Sequence, residues 1–546
     1  MKKIINRLTY LTAAGVLLIS SCTKKIDEAY VNPNATVRVP IETLLPGIIG
    51  NFVGSSAAAG SAYGIANDGL YVGRYVQYWA TNSTGNQYDM MGGATGASDV
   101  LGSQWAMHYF GMGENLNKMI VWGEEEKKWD YVGVGYAIRA WSWLSLTDMH
   151  GEVIMREAFR PEQLVFNYDS QEDVYNEVRR LCHVALNYLD RTGDGVSQAN
   201  LALGDAYFYN GDRAKWKKFV YSVLARSFNH LANKGSYQPD SVIYYANLGI
   251  TANADNATAK FANTGITGTS NFYGPYRANV GALRQSRFMA NLMTGLNPTF
   301  LGVVDPRAAY IIRENTNGTY KGVRPNKGTD GLATADQPQG FWGQAFSSTT
   351  APANDNSCRY IFRNGSPFPI IVAAEVHFMK AEAYLRKGVG FEAQAKQAYI
   401  DGINASFDFL TGTADYHNSV PTALQITAPM KATYLANPAV VPAGNITRSH
   451  IMLQKYIAMY GFGLTETWVD LRRYHYTDLD PVLGTPVYGD FTPPSGIDLY
   501  TNNNSKLVYR ARPRYNSEYL YNINSLNGIG AMALDYHTKE QWFSQP

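Results

Sequence analysis

Cysteine is nearly absent from this chain, with only Cys22, Cys182 and Cys358 among 546 residues. So few exclude a disulfide-stapled scaffold and the paired Cys clusters of a structural zinc site. Charge is sparse too, at 17% of residues. Residues 1–21 hold Lys2, Lys3 and Arg7 and no acid, so without them 44 basic side chains face 45 acidic ones, a formal charge of −1. That balance leaves no electrostatic footprint for nucleic acid or for anionic headgroups. No later segment supplies the run of about 18 apolar residues that a spanning helix needs. Glycine and proline, at 50 and 23, are near ordinary usage, which excludes collagen-like and linker-dominated architectures. Catalytic spacings are missing as well: there is no His-Glu-x-x-His, no Gly-x-Ser-x-Gly and no Gly-Lys-Ser/Thr, and the nine His are scattered. Gly111-x-Gly113 and Gly133-x-Gly135 are incomplete dinucleotide fingerprints in helical surroundings. Asp190-x-Thr192-x-Asp194-Gly195 begins like a calcium loop but places Leu201 where the closing carboxylate belongs. Neither a cofactor nor a metal is expected, and no catalytic residue is assigned.

The N-terminus does carry a signal. Lys2, Lys3 and Arg7 precede an apolar run through Leu17, Leu18 and Ile19 that ends in Ser20-Ser21-Cys22. This reads as a secretory signal peptide over 1–21, too short to span as a mature helix. A branched residue and two small ones before Cys22 form a bacterial lipobox, so Cys22 is the expected lipidated N-terminus; an ordinary cleavage site is the plain alternative. Residues 22–40, punctuated by Asn32-Pro33-Asn34 and Pro40, read as a tether, and 41–546 as one folded domain. Cys182 and Cys358 are expected as free, packed thiols, although an exported chain could bridge them.

Periodicity makes the fold mostly α. Val174, Val178, Leu181, Ala185 and Leu189 recur at three- and four-residue steps behind Ser170 and Asp173, a capping pair. The same spacing returns from Trp216 to Leu231, in Val376, Met379, Ala383 and Tyr384, and in Tyr399, Ile400 and Ile403. Gly388 separates two of these helices by a short turn, which resembles a tetratricopeptide unit or an ordinary antiparallel hairpin. Units of this kind must stack, so further pairs are expected in 101–149, 171–232 and 447–463. Residues 250–275 and 320–358 have no period and are rich in Gly, Asn, Thr and Ser; such long irregular loops are where ligands are sought.

Aromatics are plentiful, and Tyr, at 39, outnumbers Phe, at 22. Three clusters mix them with amides and guanidinium groups: Trp79, Asn82, Gln87, Tyr88 and Asp89; Phe272 to Arg277, which includes Tyr273 and Tyr276; and Phe341-Trp342. Aromatic faces stack on the CH-rich faces of sugar rings, while amides and Arg bond their hydroxyls. Trp79, Asn82, Tyr88, Tyr273, Tyr276, Arg277 and Trp342 are therefore the candidate ligand residues. The competing reading is that these rings are core, above all Tyr71, Tyr75 and Tyr78 at helical spacing. Two carboxylates of a glycosidase are not identifiable among 45 acids, so a surface hydrolase stays open.

Several blocks together resemble the SusD/RagB family of outer-membrane nutrient-binding lipoproteins, and in particular its SusD-like starch-binding branch. They are the lipobox at Cys22; Asn32-Pro33-Asn34; Gly204-Asp205-Ala206-Tyr207 through Gly211-Asp212, Lys215-Trp216 and Lys218-Phe219 to Leu224-Ala225-Arg226; and Glu375 through Ala381-Glu382-Ala383. Ile451 to Tyr456, Glu466-x-Trp468-x-Asp470-Leu471-Arg472-Arg473 and Arg512-Pro513-Arg514-Tyr515-x-x-Glu518 complete the set. The family's usual Arg-x-Pro-Tyr-Pro ending departs here to Arg512-Pro513-Arg514-Tyr515-Asn516. The resemblance implies a fold of about four tetratricopeptide-like helix pairs with long irregular ligand-binding loops. It implies a cell-surface protein that captures oligosaccharides and delivers them to a SusC-like TonB-dependent barrel, without catalysis, held on the outside of the outer membrane by its lipid. Capture of oligopeptides is the nearest alternative, and a structural adhesin a more distant one. The resemblance also implies that Arg472 and Arg473 make structural ion pairs near Asp470 and that Trp468 is packed. The family's ligand residues lie in variable loops and transfer no motif.

Overall fold

The computed structural model describes residues 38–57, 61–85, 88–92 and 101–546. Cys22, the signal segment, most of the tether and Gln87 lie outside the described residues. The chain is mostly helical. After α1 (Leu44–Val53) and α2 (Ile65–Tyr75), a stack begins with α3 (Glu114–Glu125) on α4 (Trp129–His150). It continues through α5 (Gln171–Asp190), α6 (Arg213–Asn229) and α7 (Pro239–Leu248) to α8 (Ala373–Lys387) and α9 (Glu392–Gly412). Each helix packs on its neighbour, as units that cannot bury a face alone must. Then α10 (Arg448–Ala458) lies across α8 and α9, while α11 (Leu464–Arg473) turns away to α2 and α4. The last segment therefore closes the stack onto the N-terminal helices rather than adding a hairpin.

Local chemistry explains the boundaries. Ser170 accepts from Asp173 N at the start of α5, and Asp212 from Ala214 N and Lys215 N at the start of α6. Gly388, at φ 81°, ends α8 and lets the chain reverse into α9. The Gly204-Asp205 block is a corner: Asp205 accepts from the Trp216 indole at 2.8 Å and from Gly211 N, tying the loop before α6 to its first turn. Both Cys182 and Cys358 are buried and free, and burial pushes the Cys358 thiol up to about 12.

The remaining family-like blocks meet inside the stack as a chain of ion pairs. Arg226 on α6 grips Glu375 on α8, and His230 bonds Glu466 at 2.8 Å with Asp148 at 3.3 Å on its other nitrogen. Lys455 reaches Asp470 at 2.8 Å. Arg473 forks onto Glu382 at 2.8 and 2.9 Å and reaches Asp470 at 2.6 Å. Burial acts to lower the His230 imidazolium, but Glu466 and Asp148 outweigh it and raise it to about 9. Arg472 behaves otherwise than expected: it donates to the carbonyls of Trp468, Asp148 and Tyr509 and stacks 4.0 Å from the buried Trp468 ring, with no carboxylate partner among the described residues.

Of the short strands, β1 (Trp79–Thr81), β2 (Ala257–Ala259), β3 (Leu283–Gln285) and β4 (Phe368–Ile371) pair antiparallel as β1 with β3 and β2 with β4. Finally, the segment from 508 returns to the beginning: Val508 N bonds Tyr75 Oη, Ala511 N bonds Met149 O and Arg512 N bonds Met91 O.

Candidate functional site

The β1–β3 ladder sets 79–81 beside 283–285, and α2 runs directly into β1, so the two together wall a cleft of about 260 Å³. Its apolar part is Leu70, Leu101, Ala282 and Leu283, and its polar part Asn67, Asp68, Arg74, Thr81 and Asn279. Arg74 lies over the Tyr71 ring at 4.5 Å from its centroid, and among the described residues it has no carboxylate and no hydrogen-bond acceptor. Burial lowers its guanidinium from the ordinary value. The Tyr71 hydroxyl accepts from Met90 N at 2.7 Å, which fixes the ring under Arg74. Asp68 does not neutralise it: its carboxylate caps the short helix Ser103–Ala106, accepting from Ser103 N at 3.1 Å and Gln104 N at 2.7 Å. Asn279 donates to Phe272 O at 2.9 Å. A planar fork of donors over a ring, an amide and an apolar floor can hold a neutral ring with hydroxyls on its edge.

The candidate residues divide around this cleft. Trp79, Tyr273, Trp342 and Tyr88 are buried, so the expected stacking platforms are core instead. Each indole satisfies its N–H inside: Trp79 donates to Leu70 O at 3.1 Å and Trp342 to Tyr273 O at 2.8 Å. Trp79 stands edge-on to Tyr273 and Phe341, and Tyr273 stacks on Phe362. A Cβ on Gly73 would sit 2.3 Å from the Trp79 ring, and one on Gly69 2.2 Å from Leu464, so these glycines admit close packing of the wall. Asn82 is half-buried, its amide donating to Phe346 O at 3.0 Å. Arg277 donates to Gly54 O at 3.0 Å and covers Phe272. Tyr276 alone of the candidate rings stays open, at 40% exposure. Arg74 was missed; its signal was a single basic residue within the apolar run 70–76, a pattern that surface helices share.

The architecture is thus a helical-repeat scaffold presenting a cleft beside its stack. Residues 42–491 match the SusD-like family model described as starch-binding and associating with the outer membrane, and the chain belongs to that family. No curated protein matches the sequence. Among solved structures, a SusD/RagB family protein from Bacteroides thetaiotaomicron is 20% identical with TM-score 0.66, covering 93% of this chain and 99% of its own. A SusD homologue from Bacteroides uniformis is 19% identical with TM-score 0.67 over 93% and 99%. A chitin-binding SusD homologue from Flavobacterium johnsoniae is 18% identical with TM-score 0.61 over 92% and 98%. The mostly α SusD-like fold follows from these. Among the described residues no helix is long and apolar enough to cross a membrane.

Proposed function

We propose that the chain captures oligosaccharides at the Arg74 cleft and passes them to a SusC-like TonB-dependent barrel, held on the outer face of the outer membrane by lipid on Cys22. Family membership supports glycan binding, and relatives titled chitin-binding set a precedent for an amino-sugar polymer. The observation that carries the reading to this cleft is the Arg74 fork seated on Tyr71, unpaired among the described residues. A half-buried cation without an acid leaves its donors to water or to a ligand, and sugar hydroxyls accept from it without charge. Binding then involves no bond breaking, and the modest affinity of a few hydrogen bonds suits release to a transporter. Asn82, Tyr276 and Arg277 flank the same wall in sequence and are proposed as its outer rim.

The test is calorimetric titration of the purified chain against a panel of plant, host and microbial oligosaccharides, with reducing-end release assayed in parallel. Binding without release, weakened about tenfold by Arg74→Met, is the expected result. Release of reducing ends would make the protein a hydrolase. Binding of peptides in place of glycans would overturn the ligand class.

A further inference from the structure

The helix Ser103–Ala106, capped by Asp68 from the first cleft, carries Trp105 and Ala106 into a second cleft of about 360 Å³. Its walls are Trp105, Tyr109, Phe110, Phe159 and Phe166, with Ser517 and Glu518 at one side. Three backbone irregularities converge on it. Met107–Gly113 is π-helical and brings Tyr109 and Phe110; Tyr515–Tyr519 is π-helical and brings Ser517 and Glu518; Phe159 sits at φ 64°. Single π-helical turns are rare and gather at functional sites, and a bulky aromatic at positive φ persists only where the surroundings enforce it. Phe110 is 75% exposed, edge-on to Tyr63 at 5.6 Å. An aromatic wall held in this way and left in water has a use other than packing.

Its polar groups are Arg514, Ser517, Glu518 and the indole N–H of Trp105. Glu518 is 7% exposed; its Oε2 accepts from Tyr168 Oη at 2.7 Å and Asn522 Nδ2 at 2.9 Å. Among the described residues Oε1 accepts nothing, Ser517 Oγ has no partner although buried, and Trp105 Nε1 donates to nothing. The cleft thus offers the Trp105 N–H and the Ser517 hydroxyl as donors, oxygens of Ser517 and Glu518 as acceptors, the Arg514 guanidinium at its side and an apolar wall. An acetamido group carries the complement: an N–H, a carbonyl and a methyl.

We propose that this second cleft binds an N-acetylated sugar unit, with its ring on Phe110, its acetamido N–H toward Glu518 and its methyl among Phe159 and Phe166. The inference rests on the glycan-capture reading. Asn67 of the first cleft bonds Ser103, and Tyr63 touches Phe110, so one ridge separates the two clefts and a single oligosaccharide spans both.

The test compares the β-1,4-linked tetramer of N-acetylglucosamine with the β-1,4-linked tetramer of glucose, which share linkage and ring shape and differ at carbon 2. Calorimetry on the purified wild-type chain is expected to show about tenfold tighter binding of the acetylated tetramer. Phe110→Ala, at an exposed position that leaves the core intact, is expected to bring the two to within about twofold of each other, and Glu518→Gln to narrow the gap. Equal binding by wild type, or a preference that survives Phe110→Ala, overturns the inference while the capture reading stands. A preference abolished only by Arg74→Met places it in the first cleft and likewise overturns it. Failure of wild type to bind the acetylated tetramer overturns it outright, and failure to bind any glycan of the panel removes the capture reading as well.

Discussion

Behind α8 and α11, Arg473 lies between Glu382 and Asp470 while Arg386 covers the same Glu382 at 3.0 Å; across the molecule, Arg74 rests on Tyr71 with no acid beside it among the described residues. The Arg473 and Arg74 guanidinium groups are both removed from most of the solvent. In the stack Arg226, Lys455 and Arg473 are answered by anions and Arg472 by carbonyls, and the motifs that carry the family likeness are these answering residues. The wall of the cleft leaves its cation unanswered. Burial with partners locks helices together, and burial without them keeps a site in want of a ligand.

Breaking the stack should have the largest effect. Glu382→Ala strips Arg473, Arg386, Tyr474 and Asn229 of their shared acceptor. Denaturant unfolding should show a loss of about 3–5 kcal/mol; a loss under about 1 kcal/mol would mean the pairs are not what joins the helices. A pH titration comes next. His230 is raised to about 9 in the fold against about 6.5 unfolded, so its contribution is whole below pH 6.5 and disappears as pH rises through 9. On the order of 3 kcal/mol should be lost across that window in wild type, and His230→Gln should flatten the slope. On the other side of the comparison, Arg74→Met should leave the melting temperature unchanged or raise it while weakening glycan binding about tenfold, because no partner is orphaned. A drop in melting temperature would show that Arg74 is structural. The smallest effect belongs to Tyr276→Ala, about threefold in affinity by the same titration, as one half-open ring at the rim.

Sequence periodicity carried far where one face is buried. The Ser170–Asp173 cap, the α5 and α6 helices and the Gly388 turn were legible because apolar spacing and capping chemistry are local. Blocks around Glu382 and Arg473 were legible as scaffold. The aromatic clusters misled at Trp79, Tyr273 and Trp342, because neighbouring glycines suggest an open loop yet here make room for large rings. Gly73 beneath Trp79 is the clearest instance, since a side chain there would collide with the indole. Arg74 was illegible for another reason: whether a charge has a partner is a property of residues far apart in sequence.

The hydrogen bond from Val508 to Tyr75 closes a loop of 433 residues, and it comes with those from Ala511 and Arg512 to Met149 and Met91. The helix that carries Tyr71 and Arg74 is thus braced by chain synthesised hundreds of residues later. Contacts of such separation form last, since loop closure must precede them. The cleft is accordingly finished at the end of folding. A chain whose last segment is not yet in place would have its repeats formed while the helix of Tyr71 and Arg74 still lacked its brace.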